Sequence, residues 1–509
     1  EYWQRTDDIW QKISLTQLWS PLTFSFEKEN FKETFGFLPN EVQKQMIEAV
    51  EEATQSGLYI LEAPMGQGKT EAALAATEIL ASRWKCGGLF FGLPTQATAN
   101  GIFPRLKEWG EKQSEQAQLS IRLAHGMAML QQGYREIFHG KASQELDAQG
   151  GLLVHEWFEG RKQALLASFV VGTVDQLLMA GLRQKHVMLR HLGLAGKVVV
   201  IDECHAYDVY MSTYLERVLY WLGVYQVPVI LLSATLPSKR RAELVLAYHG
   251  NRPFQRETQG WKESTAYPLL TYTQGDELCQ YSISTEMEKK NIAIEFATQQ
   301  EICTILLGKM SQGGCAGIVV NSVATAQSIA QQIQDTLPDF EVLLVHARFT
   351  VADRQCAEQL LLSRLGKNST PSQRNRLVVV GTQILEQSLD IDFDLLITQL
   401  APMDLLLQRM GRLHRHTTRK ERPQKLQSPC CVVLDRECQD VPSIKIYGEY
   451  LLQKTASLLG KSVCLPDDIS PLVQSTYHEP LEDDELFPLW KEMSMLHQKK
   501  EGKAEKYLM

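Results

Sequence analysis

The chain has 509 residues, of which 44 % are hydrophobic and 22 % charged, and its formal net charge is −8. That is ordinary globular composition and too much chain for one core, so two domains are expected, with room for a small third. The negative balance excludes a basic coat that adheres to nucleic acid everywhere, while leaving a local basic groove open.

No stretch approaches the ~20 uninterrupted apolar residues of a membrane span. The longest candidate, residues 218–232, is broken by Gly223, Gln226 and Pro228. Residues 1–10 lack the apolar segment of a signal peptide. The chain starts at Glu1 and not at Met, as a piece cut from a longer polypeptide would. Ten cysteines without a C-x-x-C pair or histidines at zinc spacing read as reduced thiols of a cytoplasmic protein.

Residues 1–35, rich in Trp and Phe, read as a lead-in packed on something else. A helix follows Asn40-Glu41-Val42-Gln43. Gln43 offers a carbonyl and an amide together, which suits adenine, although a surface glutamine at a helix start reads the same way. The apolar run Leu58-Tyr59-Ile60-Leu61 then leads into Ala63-Pro64-Met65-Gly66-Gln67-Gly68-Lys69-Thr70 and an alanine-rich helix. Strand, glycine loop and helix form the context of a phosphate-binding loop. Successive N–H groups and the helix start would cradle the phosphates of ATP, Lys69 would reach the β- and γ-phosphates, and Thr70 would ligate Mg²⁺. Ala63 stands where the general pattern has its first glycine.

Apolar runs separated by helical segments recur at 87–93, 119–123, 169–171, 198–201 and 229–232. After a break around 250–290 they resume at 317–320, 342–345, 377–380, 395–397 and 431–434. Near-continuous apolar runs of this kind indicate parallel sheets covered on both faces, here two α/β domains. Most runs lead directly into polar clusters, and open parallel sheets bind ligands at the carboxyl ends of their strands.

The run 198–201 ends in Asp202-Glu203. Downstream of a phosphate loop, Asp202 would hold Mg²⁺ and Glu203 would polarise the attacking water. Cys204 reads as core; His205 reads as a sensor of nucleotide state or as a satisfied core histidine. In Gln408-Arg409-Met410-Gly411-Arg412-Leu413-His414-Arg415, the two last arginines are three apart, one face of a helix, and suit arginine fingers supplied by the second domain.

Gln43, the 63–70 loop, Asp202-Glu203-Cys204-His205, Ser233-Ala234-Thr235 and Gln408–Arg415 together resemble the ordered motif set of a superfamily-two helicase. Residues 202–208, 232–237, 381–392 and 408–416 are similar to the CRISPR-associated helicase–nuclease of type I interference. The resemblance covers residues 35–435. It implies tandem RecA-like domains, each a parallel sheet flanked by helices, at 36–255 and 256–435. Residues 1–35 would be a lead-in, and 436–509 a linker with the start of an accessory region.

It further implies an ATP-driven, three-prime-to-five-prime single-stranded DNA translocase, loaded by the crRNA-guided surveillance complex (Cascade). Gln408 would join Lys69, Asp202, Glu203, Arg412 and Arg415 in catalysis, Gln43 would read adenine, and Asp390 would touch nucleotide. Ser233 and Thr235, with His205, would couple hydrolysis to motion. Thr95, Gln96, Thr173, Gln176, Asn321, His346, Arg348 and Thr382 would line the strand's path, as polar groups on strand-end loops suit a sequence-independent groove. For each of these eight an ordinary loop hydrogen bond is an equal reading. The family's amino-terminal HD nuclease has no counterpart here: there is no His-Asp dipeptide, and His125, His139 and His155 are scattered. The nuclease is therefore expected in another part or subunit. An RNA helicase of the same superfamily, or an ATP-gated clamp that recruits a nuclease, are the rival readings.

Overall fold

A computed structural model describes residues 16, 18–23, 25–114, 117–124, 134, 151–160, 162–204, 207–285, 287–386, 389–419 and 421–509. The chain divides into two compact units, Glu1–Thr285 with Gln498–Met509, and Glu286–His497. Among the described residues, no helix is long and apolar enough to cross a membrane.

The first unit holds strands β1 (Leu58–Glu62), β2 (Leu89–Leu93), β3 (Gln118–Ala124), β4 (Gly151–Leu153), β5 (Phe169–Thr173), β6 (Val198–Ile201), β7 (Val229–Ser233), β8 (Arg256–Glu257), β9 (Leu269–Gln274) and β10 (Glu277–Ser282). They lie in the order β4-β3-β5-β2-β6-β7-β1-β9-β10-β8. From β4 to β1 every pairing is parallel. Both faces are covered, and side chains alternate between them with the strand's period of two. On β1, Tyr59 and Leu61 enter one core layer, Leu58 and Ile60 the other. The Lys69–Trp84 helix buries Ala72, Ala73, Ala75 and Ala76 completely. Such small side chains let it lie close between the sheet and the Glu41–Glu51 helix.

The expected boundary at 255/256 falls inside this unit. Residues 269–282 form a hairpin that extends the sheet past β1 in the antiparallel sense, turning at Gly275 with φ +58°. Trp19 and the carboxyl-terminal residues both pack on this unit. Trp19 packs edge-on against Trp109 and Phe169 at 5.4 and 5.2 Å. Near the carboxyl end, the Met509 N–H donates to Gly181 O and the Arg183 N–H to Tyr507 O, both at 2.9 Å.

The second unit holds β11 (Lys290–Ala297), β12 (Cys315–Val319), β13 (Glu341–Val345), β14 (Leu377–Gly381), β15 (Leu395–Gln399), β16 (Cys430–Leu434) and β17 (Ser462–Leu465), in the order β13-β14-β12-β15-β16-β11-β17. All pairings are parallel except that of β17. The expected break at 435/436 is not a boundary either. β17 completes this sheet against β11, and the Ile469–Tyr477 helix packs on the Met403–Met410 helix.

Candidate functional site

The phosphate loop lies between β1 and the Lys69–Trp84 helix, fastened to β7 by the Ala63 N–H donating to Ser233 O at 3.1 Å. Gly66 (φ +83°) and Gly68 (φ +67°) take the left-handed conformation that turns successive N–H groups toward one centre. At Gly68 a Cβ would stand only 2.2 Å from Gln43 Nε2. Lys69 folds over the loop, its Nζ donating to Ala63 O at 2.7 Å and Pro64 O at 3.2 Å. Thr70 follows on the first turn of the helix, half-buried.

Gln43 is fully buried, and its amide is engaged at both ends. Oε1 accepts from the Asn40 N–H at 2.9 Å, and Nε2 donates to Gly68 O at 3.1 Å. Asn40 Nδ2 donates in turn to Gln67 O at 3.0 Å. The side chain expected to face adenine thus ties a helix start to the phosphate loop. Asn40 and Gln43 form a capping box, a signal present in the sequence.

Asp202 and Glu203 follow β6. The Asp202 N–H donates to Gly92 O at 2.9 Å, and Asp202 Oδ1 accepts from the Glu203 N–H at 2.9 Å. Glu203 has φ +55°, a conformation costly for a non-glycine residue that concentrates at functional sites. Burial, and next the Glu203 carboxylate, push the Asp202 carboxyl above its ordinary range, with Lys69 pulling the other way. A pair of carboxylates whose joint charge is disfavoured in this way fits a divalent cation. Burial pushes the Cys204 thiol up to about 12, as befits a core residue. His205 lies outside the described residues.

At the end of β7, Ser233 Oγ donates to Thr235 O at 2.9 Å and accepts from the Thr235 N–H at 3.2 Å. Thr235 Oγ1 is buried and has no hydrogen-bond partner among the described residues. Two supports of this region were not read from the sequence. Tyr267, leading into the β9–β10 hairpin, donates its hydroxyl to Ala234 O at 2.6 Å. Glu62, the last residue before the phosphate loop, forms a fully buried ion pair with Arg241 at 2.9 Å. Arg241 also donates to Trp261 O and Ser264 O, at 3.2 and 2.5 Å.

In the second unit the Met403–Met410 helix carries Gln408 and Arg409, both buried. It ends at Met410, so Arg412 and Arg415 do not share a helix face as expected. Leu413 instead bridges to Phe393, and His414 takes φ +48°. Arg412 is 4 % exposed and donates to Glu386 O at 2.8 Å and to Leu389 O. Arg415 is more open and donates through Nε to Asp390 Oδ1 at 2.6 Å. His416 lies 3.3 Å from the same carboxylate. His416, then Arg415, hold the Asp390 carboxyl well below the usual range. Behind this turn Asp392 and Asp394, both buried, bind Arg374 and Arg422, and Asp392 also meets Arg419 at 3.1 Å. The alternating carboxylates 390, 392 and 394 were the sequence signal for this brace.

The eight residues expected on a strand's path divide by exposure. Thr95, Gln96 and Arg348 are exposed, and Gln176 is half-buried beside Arg190, which donates to its Oε1 at 3.3 Å. Thr173, His346 and Thr382 are buried, the Thr382 hydroxyl without a hydrogen-bond partner among the described residues. Asn321 is 4 % exposed and bonded inward at every polar side-chain atom. It braces loops and does not face a groove. Of the three scattered histidines, His125 and His139 lie outside the described residues. Among the described residues no group of three or more His, Cys, Asp and Glu side chains is placed to hold a metal ion.

Two α/β units, one with a phosphate loop and an acidic pair at strand ends and the other with an arginine-rich turn, define a tandem RecA-like helicase core. The DEAD/DEAH box helicase profile matches residues 40–244, and that of the CRISPR-associated nuclease/helicase Cas3, C-terminal, matches residues 312–418. The chain is 44 % identical over 487 residues to the CRISPR-associated nuclease/helicase Cas3 of Streptococcus thermophilus, covering 94 % of this chain and 52 % of that protein. The solved T. fusca Cas3–AMPPNP structure superposes with a TM-score of 0.83 at 32 % identity, covering 96 % of this chain and 57 % of that one. A chain of a pre-nicking CRISPR RNA-guided surveillance complex matches with a TM-score of 0.74 at 31 % identity, over 92 % of this chain and 54 % of that one. The chain belongs to the Cas3 family, as its helicase part, and spans about half the length of the curated relatives it matches.

Proposed function

We propose that this chain is an ATP-hydrolysing motor that moves three-prime to five-prime along single-stranded DNA in CRISPR antiviral defence. It would be loaded by the surveillance complex and unwind target DNA in the cytoplasm for an HD nuclease domain or subunit. The observation that supports this best is the ordered motif set, phosphate loop, Asp202-Glu203 and arginine turn, in a chain 44 % identical to a nuclease/helicase. A relative solved with AMPPNP and one named for a surveillance complex support the nucleotide and the partner.

In this reading the N–H groups of 65–70 and the Lys69 side chain bind the triphosphate, and Lys69 must leave the Ala63 and Pro64 carbonyls to do so. Thr70 and Asp202 would hold Mg²⁺, which supplies charge neutralisation at the phosphates. Glu203 orients water and takes its proton. Arg412 and Arg415 stabilise charge on the transferred group, so Arg415 exchanges Asp390 for phosphate. Gln43 sets the loop beside the adenine it would read, and the Thr235 hydroxyl, without a partner among the described residues, suits a coupling role.

The test is ATP hydrolysis with single-stranded DNA or RNA added. Stimulation by DNA is expected. Stimulation by RNA alone rejects the substrate, and hydrolysis without strand displacement indicates a clamp.

A further inference from the structure

Arg409, next to the catalytic candidates on the Met403–Met410 helix, has no solvent exposure. Its guanidinium binds three strand-end loops at once. Nε donates to Glu386 Oε1, after β14, at 2.7 Å, and Nη2 pairs with the same carboxylate. Nη1 donates to Thr398 Oγ1 and Gln399 O, at the end of β15, at 2.8 and 2.9 Å. Nη2 donates to Asn321 Oδ1, after β12, at 2.9 Å. Asn321 passes the connection on, its Nδ2 donating to Leu400 O at 2.8 Å and to Ser443 Oγ at 2.7 Å.

Stability alone is a weak reason for this arrangement. Well-packed apolar side chains in place of a buried ion pair are often neutral or stabilising. What a planar five-donor fork adds is fixed geometry. Glu386 is the shared element: its carboxylate holds Arg409, and its carbonyl accepts from Arg412 at 2.8 Å. The loop that carries Thr382 and the turn that carries Arg412 and Arg415 are therefore joined through one residue.

We propose that Arg409 is a positioning residue that makes the β14 loop and the arginine turn move as one body. Engagement of a strand at that loop then sets the arginines for hydrolysis. This rests on the DNA-stimulated motor reading above. Arg409 need not touch nucleotide or nucleic acid.

The test compares wild type with Arg409→Met/Glu386→Leu, which removes both charges together, and with the milder Asn321→Ala. Basal and DNA-stimulated ATP turnover, the KM for ATP and the melting profile are measured on the whole chain. A coupling role predicts that the stimulated-to-basal ratio falls about tenfold in the double variant, while KM for ATP moves less than about threefold. Asn321→Ala should lose part of the ratio, and it carries the same test if the double variant does not fold. A folded variant with the wild-type ratio overturns the inference alone. A wild type without stimulation overturns the underlying reading and this inference with it.

Discussion

Replacing Arg241 by methionine leaves Glu62 as an unpaired carboxylate, 3 % exposed, at the mouth of the phosphate loop. Breaking a buried ion pair from one side costs about 3–5 kcal/mol, because the surviving charge keeps its desolvation cost. At about 1.6 °C per kcal/mol for a unit of this size, the melting point of the first unit should fall by roughly 5–8 °C. Burial already pushes the Glu62 carboxyl above its ordinary value while Arg241 pulls it down. Without the arginine the folded state would hold a proton that the unfolded state releases above about pH 4.3. A folded pKa raised in this way makes the stability of the variant fall as pH rises from that point through the folded pKa. Calorimetry across pH 4–8 reads both effects. The paired change Arg241→Met/Glu62→Leu should recover most of the loss and flatten the pH dependence. A loss under about 1 kcal/mol in the single variant, or a paired variant no better than the single one, would refute the reasoning.

Glu203→Gln should bind a fluorescent ATP analogue normally while phosphate release collapses; normal turnover would remove Glu203 as the base. Arg415→Ala should lower turnover by on the order of 10³-fold with little change in nucleotide affinity, and unchanged turnover would assign the role to Arg412 alone. Gly68→Ala adds about 1–2 kcal/mol of left-handed strain and a 2.2 Å approach to Gln43 Nε2. Titration with the same analogue should show affinity weakened on the order of tenfold or more.

Most of the parallel strands are legible because they are continuous apolar runs buried on both faces, as in Val198–Ile201 and Leu377–Gly381. β11 is not a continuous apolar run: only Ile292 and Ile294 of its eight residues are buried, and such short alternation is a weak strand signal. The β9–β10 hairpin fell in the supposed interdomain break, although Gln-Gly-Asp-Glu between two strand-forming segments is a turn signal. The loop and acidic pair could be read because their chemistry is local in sequence. Arg241 pairs with Glu62 across 179 residues and Asn321 with Arg409 across 88, partners that only the folded chain reveals. Spacing alone puts Arg412 and Arg415 on one helix face, but the helix ends at Met410 and Leu413 bridges to Phe393, a partner distant in sequence.

The central claim is that this chain converts ATP hydrolysis into movement on single-stranded DNA, and displacement of streptavidin from a biotinylated strand tests it most directly. Wild type with ATP should displace streptavidin from one end only, the five-prime end, and Lys69→Ala and Glu203→Gln should not. Robust DNA-stimulated hydrolysis with no displacement from either end would contradict it.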